Sequence, residues 1–412
     1  MNDTVILKDI AEIRGRVGWK GYTVEDLVDE GPLVVGANDI TTDNQLDLSN
    51  VKHLTRKKYE ESPEIFIKKN DILVVKVGST IGKVCIIDQD IGESSINPNC
   101  VIVRPNSIDP YYLYCYLCSP AGKAYLLNNS SASGQPALNQ KDLGGMPIPI
   151  IGIGEQIRIA KIIHNINKKI RNNNKIVSKI DEISKSIYDY WFLQFEFPNE
   201  DGKPYKSSGG KMVWNDELKR EIPEGWKVKS YSKLGKLLMG QSPKSDSYNN
   251  EGIGYPLING AAELREDSVA ISKYTSNPTR VSQIGDLLFC IRATIGNLQF
   301  GQAEYCLGRG VASYRPNSKK HIEYLYFVTN DILAVYNKIL TGSIIVGISK
   351  DDLLQQPILT PNESIINAFS ETAHPMFETI ANLKKENQEL ASLRDFLLPM
   401  LMNGQVTFKE DE

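Results

Sequence analysis

The chain has 412 residues, with 41% hydrophobic and 24% charged residues and a net charge of −3. That composition excludes a disordered or collagen-like chain, and no apolar run reaches the ~18–20 residues of a membrane span. The near-neutral balance excludes general basicity as a source of nucleic-acid affinity, so any such affinity must come from local loops.

The N-terminus, MNDTVILKDIAEIRG, lacks the basic start and apolar core of a signal peptide. A cytoplasmic chain is therefore expected, with its scattered cysteines (Cys85, Cys100, Cys115, Cys118, Cys290 and Cys306) reduced. Residues 1–150 form a first mixed domain. DILVVKVGSTIGKVCIID is a β-branched run broken by Gly turns, and YYLYCYLCSPAGKAYLL predicts short helices.

Residues 151–195 predict a long helix. No Pro or Gly interrupts Glu155 to Trp191, and Ile163, Ile166, Ile170, Val177, Ile180 and Ile187 follow 3-4 spacing, with Asn173 and Ser184 filling the missing positions. Residues 196–225 (EFPNEDGKPYKSSGGKMVWNDELKREIPEG), rich in Pro, Gly, Ser and charge, predict a linker or ordered surface loop. A second mixed domain follows over 226–360, with DLLFCIRATIGNLQF as strands and IEYLYFVTNDILAVYNKIL as a helix.

A second long helix is expected over 361–405. Its seam runs through Ile366, Phe369, Ala373, Met376, Ile380, Leu383, Asn387 and Leu390, then Leu393 and Leu397 after a three-residue stammer. Pro375 should kink its first turns. Residues 151–190 carry eight basic and four acidic residues, and residues 361–412 carry four and nine. Opposite charge and narrow stripes favour mutual antiparallel pairing over two ordinary amphipathic helices, with Asn173 and Asn387 fixing register. Ile159, Ile176, Phe377 and Leu398 lie beyond the seam and predict exposed apolar surface for a partner.

The chain repeats itself. PLVVGANDI (32–40) matches PLINGAAEL (256–264), Asn70-Asp71-Ile72-Leu73 matches Gly285-Asp286-Leu287-Leu288, and Thr80-Ile81-Gly82 matches Thr294-Ile295-Gly296. Arg104-Pro105-Asn106-Ser107 recurs as Arg315-Pro316-Asn317-Ser318, and Asp142-Leu143 with Pro147 as Asp352-Leu353 with Pro357. Glu155 lines up with Glu363, and Asp189 with Asp395. An ordered series of seven matches is a tandem duplication.

Catalytic constellations are absent from the sequence. There is no phosphate loop, G-x-G-x-x-G, G-x-S-x-G or H-E-x-x-H. Nor is there an Asn-Pro-Pro-aromatic run to hold a target amine; Ile96-Asn97-Pro98-Asn99 lacks the second Pro and the aromatic. The histidines (His53, His164, His321, His374) are far apart, so no metal site is expected. Cys115-x-x-Cys118 has no partner pair and fits buried core thiols better than zinc or redox chemistry.

What remains is binding by turns that mix basic, amide, hydroxyl and aromatic residues. In the first copy the candidates are Arg14, Arg16, Lys20 and Tyr22, with Trp19 among them, then Lys76, Ser79 and Thr80, then Gln135 and Asn139. In the second they are Gln241, Ser242, Lys244 and Tyr248, then Arg292 and Thr294, then Arg309, Ser343 and Lys350. Arg pairs with guanine edges and Gln or Asn with adenine, while Lys, Ser and Thr hold phosphates. A solvated loop is the alternative for each residue taken alone.

The duplication, the two long helices, the 196–226 string and Asn139-Gln140-Lys141-Asp142-Leu143 with Glu155-Gln156 resemble the specificity subunit of a type I restriction-modification enzyme. The resemblance covers essentially the whole chain. The second copy departs with Ser349-Lys350-Asp351-Asp352-Leu353, Ser364 in place of Glu-Gln, and Pro375 in its helix. The resemblance implies an α+β fold. Two similar mixed target recognition domains would be separated by two long antiparallel coiled-coil helices, related by a pseudo-two-fold repeat. Each domain would contact one half of a bipartite double-stranded DNA target. The helices would set the gap and dock two modification (methyltransferase) subunits, and restriction subunits would join them. S-adenosylmethionine, ATP and Mg would bind those partners and not this chain, which would be non-catalytic. The alternatives are a coiled-coil adaptor without base readout, or a DNA enzyme with its own catalytic site.

Overall fold

The computed structural model describes residues 3–16, 21–130, 137–265, 268–340 and 347–406. Two compact units divide the chain: Met1–Asn174 with Lys385–Glu412, and Lys175–Lys384. The unit limits fall inside the two long helices, Ile153–Tyr188 and Glu363–Met402.

In the first unit, Asp3–Ile6 pairs antiparallel with Pro147–Ile150 and brings the two ends of the mixed domain together. An antiparallel sheet follows, in the order Ala11–Arg14, Cys100–Pro105, Ile72–Val75, Val84–Ile86. A second sheet has the order Lys52–Leu54, Leu27–Val35, Ser94–Ile96, its last pair parallel. All of Ile72–Val75 is buried. Strand alternation explains the unbroken apolar run. Ile72 and Val74 join one core with Tyr112 and Ile163, and Leu73 and Val75 join another with Val35 and Ile102. The YYLY segment is broken by Ser119-Pro120 into helices Pro110–Cys118 and Pro120–Asn128, each with a capping side chain, Asp109 and Ser119.

The second unit repeats the plan. Lys227–Ser230 pairs with Pro357–Thr360. One sheet runs Gly235–Met239, Val311–Pro316, Leu287–Arg292, Thr294–Phe300, and the other Tyr248–Asn249, Tyr274–Thr275, Tyr255–Ile258, Cys306–Leu307, again with a parallel last pair. The predicted helix is Ile322–Leu340.

The repeated motifs have a structural cause. Arg104 grips Asp71 through two bonds of 2.7 Å, and Arg315 grips Asp286 at 2.7 and 2.9 Å. Both carboxylates are buried, and each also accepts a backbone amide, from Lys68 and from Gln283. A buried carboxylate needs that full set of donors.

Backbone bonds also correct the alignment of the copies. The Gly152 carbonyl accepts from Glu155 and Gln156, and the Asn362 carbonyl from Ile365 and Ile366. Glu155 and Gln156 therefore correspond to Ile365 and Ile366, and not to Glu363 and Ser364. Carried along the helices, Asp189 corresponds to Pro399 and not to Asp395. Short acidic matches misled the alignment where backbone pairing decides.

The seam residues Ile163, Ile166, Phe369 and Ile380 are buried. Ile170, Val177, Ile180, Ile187, Met376, Leu383, Leu390 and Leu397 are half-buried. Leu393 is 46% exposed, so it leaves the seam. Arg394 takes the position instead, donating to Asn167 at 3.2 Å, and the 3-4 spacing continues through Leu390, Arg394 and Leu397 with no stammer. The helix Glu363–Met402 is unbroken at Pro375, which sits on an exposed face where the carbonyl left without an amide meets water. Ile159 and Leu398 are buried in the first unit's core and Phe377 packs against the second's; of the apolar surface expected there, only Ile176 is exposed. The 196–225 segment carries the hairpin Met212–Asn215/Arg220–Pro223 and buries Phe197 and Ile222. Its aromatics turn a Pro- and Gly-rich string into part of a core.

Candidate nucleic-acid interface

In the first unit, four turns converge at the end of the four-stranded sheet. The Lys76 amide donates to the Asn99 carbonyl and the Lys76 carbonyl accepts from Leu138, both at 2.8 Å. This joins the 76–80 turn to 97–99 and to 137–139. A Cβ on Gly15 would lie 2.3 Å from the Gln140 side chain, so the Arg14–Arg16 turn abuts the same place. Arg16 reaches the Ile96 carbonyl at 3.4 Å. Burial lowers the Arg16 pKa, which Glu64 and the Tyr22 phenol oppose. Arg14 bonds Glu12 at 2.7 Å, so its guanidinium is partly spent within its own strand. Ser79 is exposed and Thr80 half-buried. Asn139 is exposed and caps the helix Gln140–Gly144 by accepting from the Asp142 amide at 2.7 Å. Tyr22 stands somewhat apart, packed against the cluster of Val34, Leu54 and Tyr59.

In the second unit the equivalent bonds recur. The Ile291 amide donates to the Gly310 carbonyl at 2.9 Å, the Ile348 amide to the Ile291 carbonyl at 3.0 Å, and Arg292 bridges to Gly347. The Gln241 amide donates to Leu307 at 2.8 Å, and the Arg309 amide to the Ser242 hydroxyl at 3.3 Å. Gln241, Lys244, Arg292, Thr294, Arg309 and Lys350 are all exposed. Tyr248 is half-buried and donates to the Pro243 carbonyl at 3.4 Å. Lys350 opens a short helix capped by Ser349. Ala293, between Arg292 and Thr294, has φ +59°, a strained value for a residue with a Cβ. Arg292 therefore occupies the position that Val77 has in the first copy, and Ile291 that of Lys76.

Asn97 and Asn99, which are not among the sequence candidates, lie on the same convergence of turns, and the Asn259 carbonyl accepts from the Gly310 amide at 3.1 Å in the second unit. The Asn97 amide donates to Val35 at 2.8 Å and the Gly308 amide to Ile258 at 2.8 Å, so Asn97-Pro98-Asn99 and Gly308-Arg309-Gly310 are the same turn. A signal existed: both turns precede a strand ending in the repeated Arg-Pro-Asn-Ser. Trp19, Lys20, Gln135 and Ser343 lie outside the described residues.

Among the described residues no group of three or more His, Cys, Asp or Glu is placed to hold a metal. Burial pushes the Cys118 thiol up to about 12 and Cys115 well above its ordinary value. Both thiols stay protonated, which fits the core and disfavours thiolate chemistry. No helix among the described residues is long and apolar enough to cross a membrane.

A family model for the type I restriction modification DNA specificity domain matches residues 2–182 and 223–392. The chain is 27% identical to a protein of Methanocaldococcus jannaschii provisionally named type I restriction enzyme MjaX specificity subunit, over 98% of this chain and 93% of that protein. It is 22% identical to the type I restriction enzyme HindI specificity subunit of Haemophilus influenzae, over 94% and 99%. A crystal structure of the type I restriction-modification S subunit from M. genitalium has the same fold, at TM-score 0.60 and 13% identity, covering 97% of this chain and 95% of that one.

Proposed function

We propose a working mechanism from one premise: this chain belongs to the type I restriction-modification specificity family and is a specificity subunit with two target recognition domains. Residues 1–150 contact one half of a bipartite DNA target and residues 226–360 the other. The observation that carries this reading is that both copies build the same convergence of turns from different side chains. One backbone frame with two residue sets is what two readers of different half-sequences need. Arg16, Lys76, Asn139 and the added Asn97 and Asn99 serve the first half. Gln241, Lys244, Arg292, Arg309 and Lys350 serve the second, with Arg and Gln suited to base edges and Lys to phosphates. Arg14 contributes once it releases Glu12.

The two long helices act as an antiparallel ruler. Asn173 donates to Asn387 at 2.9 Å and to Glu386 at 2.7 Å, and Asn387 donates to Asn174 at 2.7 Å, within the first unit. This polar knot fixes one register. The exposed helix faces dock two modification subunits, which supply S-adenosylmethionine chemistry; restriction subunits supply ATP hydrolysis with Mg. The chain itself holds the DNA and the partners and performs no bond-making step, in the cytoplasm.

The test is a domain exchange. Replacing residues 1–150 with the same domain of a relative should change one half of the methylated sequence and leave the other half and the gap unchanged. Methylome sequencing reads this directly. Change in both halves, or in neither, would defeat the reading.

A further inference from the structure

In the first unit the mixed domain is fastened to its helix by packing near the helix start, by Asn167 and His164 against Tyr111, and by Arg171. Near the helix start the attachment is apolar: Ile159, Ala160 and Ile163 share one core with Val101, Tyr112 and Leu113. Eight residues beyond Ile163, about 12 Å along the axis, Arg171 makes a different attachment. One nitrogen of its guanidinium pairs with Asp88 at 2.7 Å and another donates to the Gln45 side chain at 3.2 Å. Those two acceptors lie on separate loops of the domain. The pair is sheltered, with Arg171 32% and Asp88 24% exposed, so it is less screened than a surface pair.

We infer that Arg171 is a positioning residue that fixes the angle of the first recognition domain on its helix, and so the tolerance of the complex for the gap in its DNA target. The inference rests on the ruler reading given above. The other attachments gather near the helix start and on the one ring of Tyr111, and contacts so grouped let a domain rock about them. A planar guanidinium held on two loops, about 12 Å beyond Ile163, removes the rocking because its bonds are directional. The second copy uses no such device: Gly152 and Asn362 correspond, so Ala381 stands where Arg171 would. There Phe377 packs against Phe300 and Tyr326, at 5.4 and 5.1 Å.

The experiment uses the chain co-purified with its modification subunits and measures methylation rates on DNA with the native gap and with gaps one base pair shorter and longer. Arg171→Ala should raise the off-gap to native-gap rate ratio by about fivefold, the equivalent of ~1 kcal/mol, with base preference unchanged. The exchange Arg171→Asp with Asp88→Arg should restore discrimination. A uniform loss of rate at all three gaps, or an unchanged ratio, would overturn the inference and leave the ruler standing. A wild-type complex that methylates all three gaps equally would overturn the ruler, and this inference with it.

Discussion

In the first unit Gln156, Asn167 and Arg171 face the mixed domain; at the corresponding positions the second unit has Ile366, Phe377 and Ala381. Gln156 accepts from the Asp109 amide at 3.0 Å and donates to the Ile151 carbonyl at 2.9 Å, and Asn167 donates to the Tyr111 hydroxyl at 3.0 Å. Ile366 instead is buried among aromatics with Phe369 and Tyr188. The reverse exchange also occurs: Tyr111 meets His164 edge-on at 4.8 Å, whereas buried Glu323 bonds His374 and Ser370, each at 2.7 Å. Duplication kept the backbone bonds and let the junction chemistry diverge. Either chemistry works, provided that volume is filled.

The comparison breaks hardest in the cores. Phe369 is fully buried and its ring meets Tyr188, Trp191, Phe192 and Phe327. Phe369→Ala should cost ~3–5 kcal/mol, and Ile159→Ala, at the matching position of the first unit, ~2–5 kcal/mol. Urea denaturation of the assembled complex measures both. Equal and small losses would mean that these helix faces are not anchored as described.

The buried ion pairs come next. Asp71→Ala strands Arg104 and should cost about 3 kcal/mol. Asp286→Ala should cost less, because Arg315 is 38% exposed against 18% for Arg104 and can turn to water. Thermal unfolding of the two variants orders them. A larger loss from Asp286→Ala would show that solvent access does not govern the difference.

How much of this was legible in the sequence follows from what each signal depends on. The helices, and the burial of Ile163 and Phe369, are legible because 3-4 periodicity is local. The duplication was visible because Asp71 and Arg104 recur with Asp286 and Arg315. Arg394 was invisible as a seam residue because a charged side chain there makes sense only beside Asn167, more than 200 residues away. Asn97 and Asn99 were passed over because their turn matters only through the Lys76 amide. The hairpin at 212–223 was hidden by composition: Gly and Pro suggest a linker, and only Phe197 and Trp226, stacked at 5.1 Å, reveal a core.

The asparagine knot offers a smaller and more selective effect. Asn173 and Asn387 correspond to Leu383 and Val177 in the other copy. Asn173→Leu removes the donor to the Asn387 and Glu386 oxygens, while Asn387 keeps Asn174 and Glu386 keeps Lys169, and should cost ~1 kcal/mol. The double change Asn173→Leu with Asn387→Val imports the other copy's residues and should recover the stability. It should also loosen the register, seen as methylation at more than one gap length. Full recovery of stability with an unchanged single gap would assign the register to another contact.

The smallest effect is the pH response of His164. Burial first, then the positive charges of Arg171 and Lys168, hold the His164 pKa below its ordinary 6.5, with Asp88 opposing them. His374, at the matching position, faces Glu323 and Glu378 instead. A depressed folded pKa means that below about 6.5 the unfolded chain binds more protons than the folded one. The stability that neutral His164 contributes is therefore complete above that pH and is lost as pH falls through the lower folded value. His164→Phe keeps a ring beside Tyr111 and has no proton to bind. The stability of wild type relative to this variant should fall between pH 7.5 and 5, measured by urea denaturation at each pH. Arg171→Ala, by removing a like charge, should weaken that fall. A difference that stays flat across this range, or that grows as pH falls, would mean that His164 is charged in the fold and that the polar junction of the first unit carries one more cation than described.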